Sequence, residues 1–269
     1  MTPSETAHRI VIKVGTSTLT YESGKPNIRR VEALARVLSD LHNSGKEIVL
    51  VSSGALGVGV GKLGLEKRPT EVEKRQAVAA VGQCELMFLY DKMFSEYTCT
   101  VAQVLLTPDV IDDQPRKQNV INTLDTLLKM GIIPVVNEND TVSTAEIAGA
   151  NFGDNDRLSA IVAKLINADM LVLLTDIDGL HDGDPRKNKN AVRIPVVLNI
   201  DENVMALAGG TGSVRGTGGM VTKLQAAELA CEAGIETYII NGENPKTLYK
   251  LLDGETVGTH FVARRKNNN

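Results

Sequence analysis

Ile133-Pro-Val-Val-Asn-Glu-Asn-Asp-Thr141 and, a few residues on, Asn151-Phe-Gly-Asp-Asn-Asp-Arg-Leu-Ser-Ala160 decide how this chain is read. Ile132, Ile133, Val135 and Val136 form an unbroken apolar run, as in a strand buried on both faces of a parallel sheet. The run breaks into Asn137, Glu138, Asn139 and Asp140, where such a strand would end. In open α/β sheets that carboxyl end is where ligands bind. A second polar group follows, Gly153-Asp154-Asn155-Asp156, and then a helical pattern from Arg157 to Asn167. Asp154 suits an N-cap and would put Asn155 and Asp156 in the helix's first turn. Each cluster alone is also consistent with a capped helix or a strand-end loop. Together they set Glu138, Asp140, Asp154 and Asp156 close to three Asn side chains, and such groups need cationic or hydrogen-bonding partners.

Outward from this centre, strands and helices alternate. Ile10 to Val14 reads as a strand ending at Gly15-Thr-Ser-Thr, and Lys13 lies inside it. That lysine is consistent with an edge residue reaching water, or with one aimed at phosphates from a strand end. Ile28 to Asn43 has helical spacing, with Val31, Leu34, Ala35, Leu38 and Leu41 on one face and Gly45 closing it. Lys46-Glu-Ile-Val-Leu-Val is the next strand, so the first hundred residues open on a right-handed βαβ unit. It runs into Ser52-Ser53-Gly54-Ala55, where hydroxyls and free N–H groups at a helix start suit an anion.

Further along, a long helix is expected over Glu73–Tyr97, whose Ala77, Ala79, Ala80 and Gly82 suggest close packing, within the chain or across a subunit interface. Strands are expected over Thr100–Leu106, Met170–Asp176, Glu236–Asn241 and Thr256–Val262. Helices are expected over Val120–Met130, Asp201–Ala208 and Pro245–Leu252. Asp109–Gln114 reads as a solvated acidic loop, and Asp178-Gly179 as a hairpin signal. Gly209 to Gly219 holds six glycines in eleven residues before a helix that runs to Ala233. Such a loop cradles phosphates with backbone N–H groups. Lys223 falls on the helix's first turn, facing either those phosphates or solvent.

Gly59-Val-Gly-Lys-Leu-Gly matches GxGxxG, but it does not directly follow a strand, and Ala79-Ala80 stands where a ribose-binding acid is needed. Gly61-Lys62 is no P-loop: Leu56 replaces the leading glycine and Leu63 the Ser/Thr.

No linker or shift in composition divides the 269 residues, and the alternation implies one three-layer α/β/α domain around a mostly parallel sheet. Charged residues make up 23%, as in a globular chain in water, while the net charge of −4 and 3% aromatics argue against a nucleic-acid partner. Cys84, Cys99 and Cys231 are an odd, scattered set, read as buried reduced thiols of a cytoplasmic protein and not as a disulfide or zinc framework. No HxxxH or HExxH spacing occurs, so no protein-held metal is expected. The start Met1-Thr-Pro-Ser-Glu-Thr has no apolar core of a leader, and no apolar run reaches membrane-spanning length.

Seven segments in order, Lys13-Val-Gly-Thr-Ser, Val51-Ser-Ser-Gly-Ala, Ala79-Ala-Val-Gly-Gln, Val136-Asn-Glu-Asn-Asp, Phe152-Gly-Asp-Asn-Asp, Leu174-Thr-Asp and Gly216-Thr-Gly-Gly-Met-Val-Thr-Lys, resemble the amino-acid kinase family, in the branch that phosphorylates glutamate. Any one is weak; all seven in order are specific, and the likeness covers Ile10 to about Phe261. The resemblance implies a carbamate kinase-like fold over residues 1–269, with the amino-acid site mainly in the N-terminal part and the nucleotide site mainly in the C-terminal part. It implies ATP-dependent phosphorylation of the γ-carboxylate of L-glutamate to L-glutamyl 5-phosphate, the first step toward proline. Ser53, Asp140 and Asn155 match glutamate contacts, with Gly54, Ala55, Asn137 and Asp154 placed beside them. Lys13, Thr175, Asp176 and the run Gly216, Thr217, Gly218, Gly219, Met220, Val221, Thr222 and Lys223 match ATP contacts. Lys13 and Lys223 are the implied catalytic cations, and Asp156 matches the acid that holds the lysines. ATP is the expected co-substrate, with Mg²⁺ carried mainly by the nucleotide. A homodimer or homotetramer, feedback by proline and channelling to a glutamyl phosphate reductase belong to the same set of expectations.

Two departures stand out: Ala148-Gly-Ala-Asn lengthens the stretch between Ile147 and Phe152, and the RNA-binding-like C-terminal domain of many relatives is missing. The same signals leave open a kinase of this fold with another acceptor, such as N-acetylglutamate, carbamate or a nucleoside monophosphate, and a non-catalytic sensor of amino acid or nucleotide.

Overall fold

The computed structural model describes residues 2–142, 155–208 and 219–264. The lengthened stretch 148–152, Asp154, most of the glycine-rich loop including Gly216, Thr217 and Gly218, and the tail 265–269 lie outside the described residues. In chain order, α1 (Pro3–Thr6) precedes β1 (Arg9–Val14) and α2 (Thr16–Leu19); α3 (Ile28–Asn43) crosses to β2 (Glu47–Ser52). α4 (Ala55–Leu63) and α5 (Val72–Ser95) lead to β3 (Val101–Leu106), and α6 (Gln114–Lys129) to β4 (Ile133–Glu138). α7 (Asn155–Leu165) leads to β5 (Met170–Thr175), followed by β6 (Val196–Val197), α8 (Glu202–Ala208) and α9 (Met220–Glu232). β7 (Glu236–Asn241), α10 (Thr247–Leu252) and β8 (Thr259–Phe261) complete the described order.

The strands form one eight-stranded sheet, ordered β3-β4-β2-β1-β5-β7-β8-β6. From β3 to β7 every pairing is parallel, and β8 runs antiparallel to β7. Side chains alternate along each strand, so each strand feeds two cores. Ile10, Ile12 and Val14 of β1 pack with Leu34 and Leu38 of α3, Tyr90 and Phe94 of α5 and Leu248 of α10. Val11, on the other face, packs with Ala160 and Ala163 of α7 and Leu224, Ala226 and Ala230 of α9. The small residues on α7 and α9 let these two helices lie side by side across β1 and β5. α3 has the expected bounds, and its N-terminal Arg30 N–H is capped by Asn27 Oδ1 at 3.2 Å. Its apolar face, Val31 to Leu41, is buried as the spacing implies.

The GxGxxG run is helix, not loop. Gly59 lies on α4 under Val78 of α5, while Gly57 and Gly61, one turn apart, face Thr16 and Gly24. Gly24 belongs to the turn between Thr20 and Pro26, which pair antiparallel. α4 is thus clasped on two sides by backbone, which is what the missing side chains make room for. Gly82 completes the clasp from α5.

Several expectations are corrected. Asp109–Gln114 is not a plain solvated loop: Pro108–Ile111 forms a 3₁₀ turn with Val110 buried, and Asp113 caps α6 through the Arg116 N–H at 3.0 Å. α6 therefore begins at Gln114, ahead of the expected Val120, because Asp113 and Pro115 supply its start. Asp178-Gly179 makes no hairpin of strands; it leads into a single bridge, His181 to Arg193. The last strand shrinks to Thr259–Phe261, the part that pairs with β7. Cys99 and Cys231 are buried free thiols, and burial pushes the Cys231 thiol up to about 11. Cys84 is exposed, on the side of α5 opposite Gly82. The small residues Ala79 and Gly82 serve the α4 contact inside the chain, while Ala77 and Ala80 face outward.

A Cβ at Gly82 would stand 1.8 Å from Ala55 O and 2.4 Å from Gly59 N, so α4 and α5 cannot keep their spacing in Gly82→Ala. We expect a loss near about 3 kcal/mol, the upper part of the overpacking range, and hence a Tm lower by roughly 6–12 °C. Thermal unfolding checks this; an unchanged Tm would mean that the helices are not in this contact.

Candidate active site

Because β1, β2, β4, β5 and β7 are parallel, their carboxyl ends line one edge of the sheet. The chain crosses from β1 to β2 on one side and reaches β5 on the other, so a topological switch point falls at β1. A cleft of about 1520 Å³ opens there, lined by Lys13, Thr16, Ser53, Thr175, Asp176 and Lys223 among others.

Strand alternation puts Lys13 on the same face as Val11, the face that carries α7 and α9. Asp156 stands in the first turn of α7 and Lys223 in the first turn of α9. The three side chains meet. Lys13 Nζ lies 2.6 Å from Asp156 Oδ1, and Lys223 Nζ donates to Asp156 Oδ2 at 3.0 Å. Thr222 Oγ1 donates to the same oxygen at 3.0 Å. Asp156 is 0% exposed, Lys13 3% and Lys223 6%. Neither lysine is an edge or solvated residue. Each ammonium carries three donors, so two of them offer more N–H groups than a carboxylate shared between them accepts.

β2 ends at Ser52 and turns through Ser53 into α4. Gly54 sits at the N-cap with φ +109°, a left-handed conformation that favours glycine, and offers no side-chain cap. The first N–H groups of α4, beginning at Ala55, are therefore left for another acceptor. Ser53 lines the cleft beside them. A helix start without a side-chain cap is of the kind that accepts an anion.

β4 ends at Asn137 and Glu138. Asn155 of α7 donates through Nδ2 to Ser52 O and to Asn137 Oδ1, each at 2.7 Å, tying α7 to β2 and β4. Asn137 Oδ1 also accepts from the Glu138 N–H at 2.9 Å, and Asn137 Nδ2 donates to Gln83 Oε1 of α5 at 2.7 Å. Ser52 Oγ lies 2.8 Å from the Tyr90 hydroxyl, whose phenol burial pushes well above its usual range. Asp140 is half-buried just beyond the end of β4.

On the other flank, Thr175 closes β5 and its hydroxyl donates to Asp176 Oδ1 at 3.1 Å. Arg186 pairs with Asp176, so that carboxylate is held across the cleft's mouth. Gly219 is the N-cap of α9, with Met220, Val221 and Thr222 in the first turn. The structure thus brings together Lys13, Lys223, Asp156 and Thr222, and separately Ser53, Gly54, Ala55, Asn137 and Asn155. Sequence reasoning missed the cleft residues Arg68 and Arg186, the second lying on a turn-rich segment with no periodic signal. It also missed Gln83, quoted in a motif but assigned no role.

A family model described as "Amino acid kinase family" matches residues 8–241. Glutamate 5-kinase of Clostridium perfringens (strain 13 / Type A) is 59% identical over 96% of this chain and 96% of its own length. The Listeria monocytogenes (serotype 4a, strain HCC23) glutamate 5-kinase is 53% identical, covering 96% and 94%. Among solved structures, UMP kinase from Bacillus anthracis is similar with a TM-score of 0.62 at 17% identity, over 96% of this chain and 97% of that one. Isopentenyl phosphate kinase from T. acidophilum gives 0.63 at 16%, over 94% and 99%. The last two establish the fold. With the family model spanning most of the chain, and relatives above half identity along nearly all of it, the chain belongs to the amino acid kinase family, in its glutamate 5-kinase branch.

Proposed function

We propose that the protein transfers the γ-phosphoryl group of MgATP to the γ-carboxylate of L-glutamate, giving ADP and L-glutamyl 5-phosphate, the first step toward proline. The observation that carries this is the buried Lys13–Asp156–Lys223 cluster at the switch point, in a chain 59% identical to a glutamate 5-kinase. A carboxylate oxygen attacks Pγ in line, and the bond from Pγ to the bridging oxygen of ADP breaks. A carboxylate is already ionised at neutral pH, so no general base is called for. The obstacle is like charge: an anion must approach a polyphosphate. Lys13 and Lys223 offset that repulsion and stabilise the charge spread over the equatorial oxygens. Asp156 holds both ammoniums in position rather than exchanging protons.

Lys13, Thr175, Asp176 and the segment from Gly216 to Lys223 are assigned to the nucleotide; Asp140, Asp154, Asn155, Asn137, Ser53, Gly54 and Ala55 to glutamate. The uncapped α4 amino end beside Ser53 suits the α-carboxylate, and Asp140 the α-ammonium. Asp156, filled by two lysines, is a poor metal ligand, and among the described residues no cluster of three or more His, Cys, Asp or Glu side chains is placed to hold a cation. In this reading Mg²⁺ arrives on the nucleotide, where it would shield the phosphate charge. Among the described residues no helix is long and apolar enough to cross a membrane. The reading places the enzyme in the cytoplasm, without a membrane or nucleic-acid partner. One kinase domain over residues 1–269, feedback by proline and hand-over to a glutamyl phosphate reductase complete the reading.

The test of the reaction is glutamate-dependent ADP release, with hydroxylamine trapping the acyl phosphate. Lys223→Ala should lower kcat by roughly 10²-fold or more, the cost of losing one preorganised charge, with KM for glutamate little changed; near-normal turnover in the folded variant would remove the role. Asp140→Ala should raise KM for glutamate by about 10²-fold or more, as expected for an ammonium that loses a buried partner, and leave KM for ATP in place. Unchanged glutamate kinetics would strip Asp140 of its assignment. The exposed Val81 and Phe88 on the outer side of α5 support a homodimer or homotetramer. Light scattering at micromolar protein should give two or four chain masses, and a monomer mass would exclude both.

A further inference from the structure

The amide groups around Asn155 can be arranged in one way only. Side-chain amides can turn over, and backbone groups cannot. The Glu138 N–H faces one end of Asn137 at 2.9 Å, so that end must be the oxygen. Asn137 Nδ2 then faces Gln83, and the atom it meets at 2.7 Å must be Gln83 Oε1. On the other side, the Ser52 carbonyl stands 2.7 Å from one end of the Asn155 amide, so that end must be Nδ2. Its second hydrogen goes to Asn137 Oδ1, also at 2.7 Å. Both N–H bonds of Asn155 are used. What it has left is Oδ1, which has no partner among the described residues.

Gln83 is an unusual member of this chain of amides. It is only 9% exposed, it uses its oxygen, and its Nε2 is buried with no hydrogen-bond partner among the described residues. A glutamine placed for stability alone would satisfy both ends. Here the acceptor end is what the neighbourhood uses: it keeps Asn137 Nδ2 turned away from Asn155, and thereby keeps Asn137 Oδ1 turned toward it.

Glutamate offers the site two carboxylates, which only accept, and one ammonium, which only donates. An Asn155 whose donors are spent and whose oxygen is free serves the ammonium. We propose that Gln83 is a positioning residue that sets the hydrogen-bond polarity of the substrate site. Through Asn137 it holds Asn155 as an acceptor, so that the enzyme selects a dicarboxylate with a free α-ammonium over one without. This rests on the glutamate reading of the preceding section and goes beyond it, because Gln83 touches neither reactant. Without the Gln83 oxygen, Asn137 Nδ2 is left buried and unpaired, Asn137 turns to find an acceptor, and Asn155 keeps only its bond to Ser52.

The experiment compares kcat/KM for glutamate and for glutarate, the same dicarboxylate without the ammonium, in the wild-type enzyme, Gln83→Met and Gln83→Glu. Met fills the space with at most a weak sulfur acceptor; Glu keeps an oxygen toward Asn137 Nδ2 and replaces the amide nitrogen by a second carboxylate oxygen. In Gln83→Met the glutamate-to-glutarate ratio should fall by about tenfold or more, the effect of one hydrogen bond to a charged group. KM for ATP should stay within roughly threefold, because the relay does not reach the nucleotide flank. Gln83→Glu should keep the ratio within about threefold of wild type, since its acceptor is intact. A folded Gln83→Met enzyme with the wild-type ratio overturns the proposal, and so does a Gln83→Glu enzyme that loses the ratio as Gln83→Met does. If Gln83→Met does not fold by circular dichroism, Gln83→Ala, which also removes the acceptor, takes its place: a fall in the ratio of about tenfold or more supports the proposal and a wild-type ratio overturns it. A wild type that phosphorylates no glutamate removes the reading of the reaction as well, a result distinct from either of these.

Discussion

One buried carboxylate shared by two lysines is the interaction on which the site depends. Asp156, Lys13 and Lys223 come from α7, β1 and α9, three elements far apart in sequence, and they meet at the floor of the cleft, none more than 6% exposed. Removing one partner from a buried ion pair costs about 3–5 kcal/mol, since the remaining charge is left uncompensated. The surrounding architecture keeps that from happening. Small residues on α7 and α9 bring their first turns together, and the amide of Asn155, next to Asp156, ties α7 to β2 and β4. The carboxylate therefore does not need to move when substrates arrive, and preorganised charge is more effective than charge that must be assembled.

The two flanks of the cleft are built by different physics. One flank ends in the uncapped start of α4 and a row of side-chain amides, neutral groups whose directions are fixed by their neighbours. The other carries cations and carboxylates, with Lys223, Asp176 and Arg186 lining the cleft. Neutral directional groups discriminate among small molecules of similar charge, whereas charged groups attract any polyphosphate. In the proposed reaction the first flank would suit an acceptor that must be told apart from its analogues, and the second a nucleotide held mainly by its phosphates.

Much of this was legible in the sequence, for identifiable reasons. Lys13 inside an apolar strand could be assigned to a strand end, and period-two alternation puts it on one face, but which helices cover that face depends on strand order. α3 is readable to the residue because its apolar spacing and Gly45 stop agree, and the Asn27 cap found in the structure fits the same start. The sequence reading of α6 is too short because Asp113 falls in what reads as an acidic loop and Pro115 carries no apolar periodicity. β6 has two residues, too few for any periodic signal. Cys84 was taken as buried from residue type, yet it lies on the outward side of a helix whose inward side is spent on α4. Gln83 shows the limit most clearly. A glutamine in mid-helix carries no pattern, and the polarity of an amide chain depends on which backbone groups happen to stand at its ends.

The clasped α4 has a bearing on descent as well as on folding. Gly57, Gly59 and Gly61 are each hemmed in by neighbouring atoms, and Gly82 presses from α5. A lineage can therefore hardly alter the bulk of this helix, whatever new acceptor it comes to use. Divergence in substrate has to be written in the segments around it, such as the turn after β4 and the run leading into α5. The helix that follows Ser53 at the cleft is thereby among the parts of the molecule least free to change.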